Sequence, residues 1–262
     1  MTISHRSVKA TALFAAFSLL LFTLPGLAQD APPAAPVDDL AARSIVEKAD
    51  LVRFPGAGFQ VDVSITTAAS GEDGETRKYR ILSKGNSNTI VMVTEPASER
   101  GQIMLMKGRD LWVFMPEVSQ PIRLGRSQRL TGQVANGDLA RANFAADYNP
   151  RIVRSETIGG EEYHVLELKA VDRGVTYQRV VYWVRQKDDA PLKAEFYSLS
   201  NRLLKTCKYE NYRAMEGRQR PTRLVMEDAL KGGEVSVLDY DKMKLRDLPD
   251  KVFTKDYLKK IE

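Results

Sequence analysis

The chain has 262 residues, 39 of them basic and 34 acidic, for a formal charge of +5. A surplus this small, interspersed with acids, argues for solubility and against a nucleic-acid-binding stripe. Cys207 is the single cysteine, so no intrachain disulfide can form and stability must come from a core.

The first segment does not read as part of the fold. His5, Arg6 and Lys9 precede an uncharged, mostly apolar run from Ala10 to Leu24, followed by Pro25-Gly26-Leu27-Ala28. This is the pattern of a secretory signal, with small residues placed for a cut after Ala28. The run falls short of the roughly 20 apolar residues that a membrane span needs. No cysteine follows it, which argues against a lipid-modified N-terminus. Loss of residues 1–28 removes Arg6 and Lys9 and no acid, taking the formal charge from +5 to +3. An exported chain without disulfides points to a bacterial periplasm. Residues 29–37, with Pro32, Pro33 and Pro36, read as a flexible leader, and 38–262 as a single domain.

Asp38 or Asp39 offers an N-cap to one amphipathic helix, in which Leu40, Ile45, Val46, Ala49 and Val52 recur at helical spacing. From Phe59 the period changes to two. Strands are expected around Val61–Ile65, Tyr79–Leu82 and Thr89–Val93, separated by turns at Gly71–Gly74 and Lys84–Asn86. After Pro150 they resume with Tyr163–Leu168, Thr176–Val184, Leu192–Leu199, Leu203–Tyr212, Thr222–Glu227 and Glu234–Tyr240. Every connection is short, so the pattern predicts a mainly β antiparallel meander of about ten or eleven strands. Thr254 is placed to cap a last helical turn over Lys255–Leu258.

Between these halves lies the most informative stretch. Ile103-Met104-Leu105-Met106 and Leu111-Trp112-Val113-Phe114-Met115 flank Lys107-Gly108-Arg109-Asp110. Gly108 suits a two-residue type II′ turn, which sets Leu105 opposite Trp112 and Ile103 opposite Phe114. Met104, Met106, Leu111, Val113 and Met115 then share the other face. A sheet with one wet face alternates apolar and polar residues, and this hairpin does not. Both faces therefore need cover, from the chain or from a ligand. Methionine adapts to irregular apolar shapes, so Met104, Met106, Ile103, Leu105, Trp112, Phe114 and, further on, Phe196 are the candidate cavity residues. The alternative is an ordinary core.

Gln120–Ala135 is polar, and Arg123, Arg126 and Arg129 lead into Asn136–Phe144. Asp138 is placed to cap a short helix whose Leu139, Ala142 and Phe144 tuck against the sheet. The arginines suit anionic head groups or a partner's acids; a solvated loop is the competing reading. Signatures of catalysis are missing. His164 alternates with its neighbours in a strand, Cys207 reads as a small packed residue, and no zinc-ligand spacing, P-loop or nucleophile elbow occurs. Scattered acids are the only support for a hydrolase. No cofactor, metal or catalytic residue is expected.

Gly101–Leu105, Leu111–Pro116, Pro121–Leu124, Asn136–Arg141, Asp147-Tyr148 and the closing Leu248–Thr254 with Leu258 together resemble the LolA-like outer-membrane lipoprotein-sorting proteins. The resemblance implies a half-open antiparallel β-barrel with the N-terminal helix and a short helical plug on its concave face. It implies a periplasmic carrier of lipid or lipoprotein acyl chains, monomeric, supplied by an inner-membrane exporter. Arg123, Arg126, Arg129, Asp138, Arg141 and Phe144 would then belong to a lid or partner loop. A sensor or adaptor that regulates a membrane protein through the same fold is the second expectation.

Overall fold

Asp39 starts the first helix by accepting the Ala42 N–H at 3.1 Å on Oδ1. A computed structural model of the chain describes residues 1–2, 39–69, 74–85, 87–141, 143–230 and 233–258. The expected signal and leader therefore lie outside the described residues, apart from Met1 and Thr2. So do Gly71–Asp73 and Asn86 of the first two turns, and Ala142.

Helix α1 (Leu40–Arg53) buries Ala42, Val46, Ala49 and Val52 and stops where Phe54 turns extended before Pro55. Leu40, expected in the buried stripe, is 76 % exposed, because it occupies the first helical position, clear of the sheet. The strands are β1 (Phe59–Ala68), β2 (Glu75–Lys84), β3 (Asn88–Glu95), β4 (Ile103–Lys107), β5 (Asp110–Phe114), β6 (Ile122–Leu124), β7 (Arg129–Thr131) and β8 (Val134–Ala135). They continue with β9 (Tyr148–Ile158), β10 (Glu161–Ala170), β11 (Arg179–Arg185), β12 (Pro191–Tyr197), β13 (Leu203–Met215), β14 (Arg218–Asp228) and β15 (Val235–Leu245). Between β8 and β9 stand two short helices, α2 (Asn136–Ala140) and α3 (Phe144–Asp147), and α4 (Lys255–Leu258) closes the chain.

Among the described residues, thirteen strands form one antiparallel sheet in the order β6-β5-β4-β3-β2-β1-β15-β14-β13-β12-β11-β10-β9, and β7 and β8 make a separate ribbon. The meander breaks at one place: β1 pairs with β15, which joins the two halves edge to edge. The sheet stays open, with β6 and β9 as its edges. Register shifts in β1–β15, β9–β10 and β11–β12 bend it so that one face is concave.

The strand count exceeds the expected ten or eleven. β9 carries Pro150, which argues against a strand in the sequence, and it lies at the sheet edge, where proline is readily accommodated. β6, β7 and β8 are two or three residues each, too short for a period to show. The hairpin has the expected register, Leu105 with Trp112 and Ile103 with Phe114, and Gly108 has φ +60° as a type II′ turn requires.

Both hairpin faces are covered, by different parts of the chain. Met104, Met106, Leu111 and Val113 face inward, into the main core with α1 and α2. Ile103 and Leu105 face outward with Ile90, Trp112 and Phe114, under Leu248, Val252, Phe253 and Leu258. Thr254 caps α4 as expected, accepting the Tyr257 N–H at 3.3 Å, and Lys255 Nζ lies 4.3 Å from the Trp112 ring centre.

Candidate functional site

The concave face of the sheet is roofed by α1 and by residues 125–147, a segment braced from within. Asp147 accepts from Arg126 Nη1 at 3.1 Å and from Arg141 at 2.6 and 2.9 Å, all three side chains buried. Arg141 also donates to the Gly108 carbonyl at 2.7 Å, tying the segment to the β4–β5 turn. Burial holds the Arg126 guanidinium below its usual range, with Asp147 opposing the shift.

Further contacts attach this roof to the frame. Asp138 sits at the third position of α2, accepts the Ala135 N–H at 2.8 Å, and meets Tyr177 Oη at 2.7 Å and Lys205 Nζ at 2.8 Å. The sequence places it as the helix cap itself; in the structure Ala135 holds that position, and the carboxylate reaches back to it. Gly132 turns the β7–β8 ribbon with φ +47°, where a Cβ would lie 2.2 Å from Thr67 Oγ1 and 2.4 Å from Ser236 Oγ. Only glycine lets the ribbon come so close, and the Gln133 N–H donates to Ser236 Oγ at 2.9 Å.

From α1, Asp50 accepts the Ala145 N–H at 2.9 Å and pairs with Arg53 at 3.3 Å. Desolvation pushes the Asp50 carboxyl up to about 7, with Arg53 pulling the other way. The Arg53 guanidinium lies 4.3 Å from the Phe144 ring centre, and Phe144 meets Tyr148 and Tyr182 edge-on at 5.5 and 5.4 Å. These charges stand on the apolar stripe of α1, four and seven residues after Val46. That spacing was their visible signal, although a helical wheel does not name their partners.

Little space remains beneath the roof. One cavity of about 20 Å³ lies between Arg53, Phe144, Phe196 and Tyr209, and another of about 10 Å³ lies between Phe54, Phe59 and Leu139. Such volumes hold roughly one water each. At the mouth, where residues 124–136 leave the inner face of β3–β5, a groove of about 360 Å³ has a floor of Val93, Met104, Val113, Met115, Leu124 and Leu130 and polar walls that include Arg77, Glu99, Gln102, Gln128 and Arg129. This falls within the roughly 300–1,000 Å³ of small-molecule sites. A wider concavity of about 550 Å³ on the sheet is lined by the ion pairs Arg80–Asp62 and Arg223–Asp239. Its chemistry is that of a solvated saddle.

The expected cavity residues therefore separate. Met104 lines the groove, Met106 is buried in the main core, and Phe196 packs against Tyr177 beside the small inner cavity. Ile103, Leu105, Trp112 and Phe114 point to the opposite face, because strand alternation puts them under the chain's own C-terminal segment. The three loop arginines separate too. Arg126 is 5 % exposed and committed to Asp147, Arg123 pairs with Asp110 on the outer face, and Arg129 is exposed at the rim of the groove. Cys207 is buried, which pushes its thiol up to about 12 and leaves it inert.

A family model described only as an uncharacterised protein matches residues 85–260. Among curated proteins, no match is found. The crystal structure of a LolA superfamily protein, NE2245 from Nitrosomonas europaea, superposes with a TM-score of 0.79 at 67 % identity, covering 82 % of this chain and 98 % of that one. A DUF1329 family protein from Desulfovibrio piger gives a TM-score of 0.73 at 21 % identity, over 83 % and 98 % of the two chains. A putative outer membrane lipoprotein-sorting protein domain from Vibrio parahaemolyticus gives 0.72 at 20 %, over 84 % and 98 %. The last two share the fold.

Proposed function

This chain belongs to the LolA superfamily, and on that premise we propose that it is a periplasmic carrier that holds the acyl chains of a lipid or lipoprotein. The donor we infer is an inner-membrane exporter, and the acceptor is the outer membrane. The observation that carries this reading is the groove of about 360 Å³ whose apolar floor continues into the inner face of the sheet. An acyl chain laid there leaves water at roughly 0.8 kcal/mol per methylene. It departs as easily when the next site is equally apolar, which suits transfer.

Deeper entry requires residues 125–147 to move, because the cavities behind them hold single waters. Arg126, Arg141 and Asp147 all belong to that segment, so this buried cluster travels with it, whereas the buried Asp138–Lys205 pair has to separate. Opening breaks attachments that include Asp138 with Lys205 and Tyr177, Ala145 with Asp50 and Arg43, Arg109 with Asp147 and the Ala146 carbonyl, Arg141 with the Gly108 carbonyl, the Val171 N–H with the Asp147 carbonyl, and Gln133 with Ser236, Glu234 and Lys205. The segment thus acts as one hinged lid.

Native mass spectrometry of the protein purified from its own periplasm, then offered a phospholipid or a diacylated lipopeptide, tests the reading. A one-to-one adduct is expected, and Val113→Trp, which fills the groove, should lower its yield several-fold. Recovery of only lipid-free protein that takes up neither probe overturns it.

A further inference from the structure

Two openings meet at one side chain. Arg129, at the start of β7, lines both the apolar groove and a second pocket of about 190 Å³ on the other side of the ribbon. Its lining is mixed, with Lys205, Tyr177 and Gln133 beside Val134, Leu204 and Leu230. An acyl chain in the groove has to leave its polar head outside the apolar floor, since burying it unpaired costs several kcal/mol. The rim therefore decides which heads are accepted.

The other basic groups at these openings are engaged. Arg77 is held by Glu75 at 3.0 Å and Glu99 at 2.5 Å. Lys205 is held by Asp138 at 2.8 Å and by the Gln133 carbonyl. The remaining acid, Asp228, stands in the pocket and accepts the Leu230 N–H at 3.0 Å. Among the described residues, Arg129 makes no ion pair or side-chain hydrogen bond. Its planar fork matches the two oxygens of a phosphate or carboxylate.

We propose that Arg129 is a head-group clamp, and that the cargo is an amphiphile whose acyl chain fills the groove while an anionic oxygen group pairs with Arg129 at the seam of the two cavities. This rests on the carrier reading and narrows its cargo to anionic lipids.

The test titrates lipid-stripped protein from the periplasm, by calorimetry, with dioctanoyl phosphatidylglycerol, dioctanoylglycerol, decanoate and decanol. Parent protein should bind an anionic probe about ten-fold more tightly than its uncharged analogue, as one charge-assisted contact predicts. Arg129→Ala should erase that ratio by weakening the anionic probes about ten-fold relative to the uncharged ones, while Arg129→Lys keeps part of it. Whether the ratio arises with the phosphodiester or with the carboxylate identifies the anion. Equal affinity for charged and uncharged probes, or a ratio that survives Arg129→Ala, overturns the clamp and leaves the carrier standing. Failure of every probe to bind overturns both.

Discussion

Asp147 is one carboxylate closed between two buried guanidinium groups, and its value lies in what its loss would expose. Asp147→Ala leaves Arg126 and Arg141 uncompensated away from water, which costs about 3–5 kcal/mol. Urea denaturation should show that loss, whereas Arg123→Ala on the outer face should change stability by less than about 1 kcal/mol. Asp50 gives a pH dependence. Its carboxyl sits at about 7 in the fold against an ordinary 3.8, so the folded protein binds the extra proton between these values. Stability should therefore fall as pH rises from about 4 to about 7, and thermal melts of Asp50→Asn should show a flatter profile over that window. None of these partnerships was legible in the chain. Arg126 and Arg141 lie in a stretch whose composition is that of a solvated loop, and only the fold closes both of them on Asp147.

The β4–β5 hairpin is the element most fully legible beforehand. Its turn glycine fixes the register and its unbroken apolar run announces two covered faces, both of which the structure contains. What covers the outer face was not legible, because Leu248–Leu258 is separated from the hairpin by more than a hundred residues. That strap buries Phe253 to 1 % exposure. Phe253→Ala should cost about 3–5 kcal/mol and shift Trp112 fluorescence to longer wavelength, since Trp112 packs against the same cluster. An unchanged emission with unchanged stability would show that the strap contributes no packing. The edge strand β9 and the β7–β8 ribbon leave no strand signal in the sequence for opposite reasons, one disguised by Pro150 and its charged outer face, the other too short to carry a period.

At the level of the whole molecule, a meander that merely ran on would leave β1 and β15 as exposed edges. Their pairing makes one continuous sheet and moves the edges to β6 and β9. Bulges then curl the sheet around α1 and residues 125–147. Local chemistry by itself determined the helix and its Asp39 cap, the antiparallel strands and the excess of oily surface about Trp112. Those properties depend on neighbours a few residues apart, and periodicity records them. Only the tertiary structure decided which oily surface is core and which is groove, and which arginines are buried braces rather than free charges. Those outcomes depend on contacts between distant segments, where a side chain's environment is set by whatever the closing sheet brings against it.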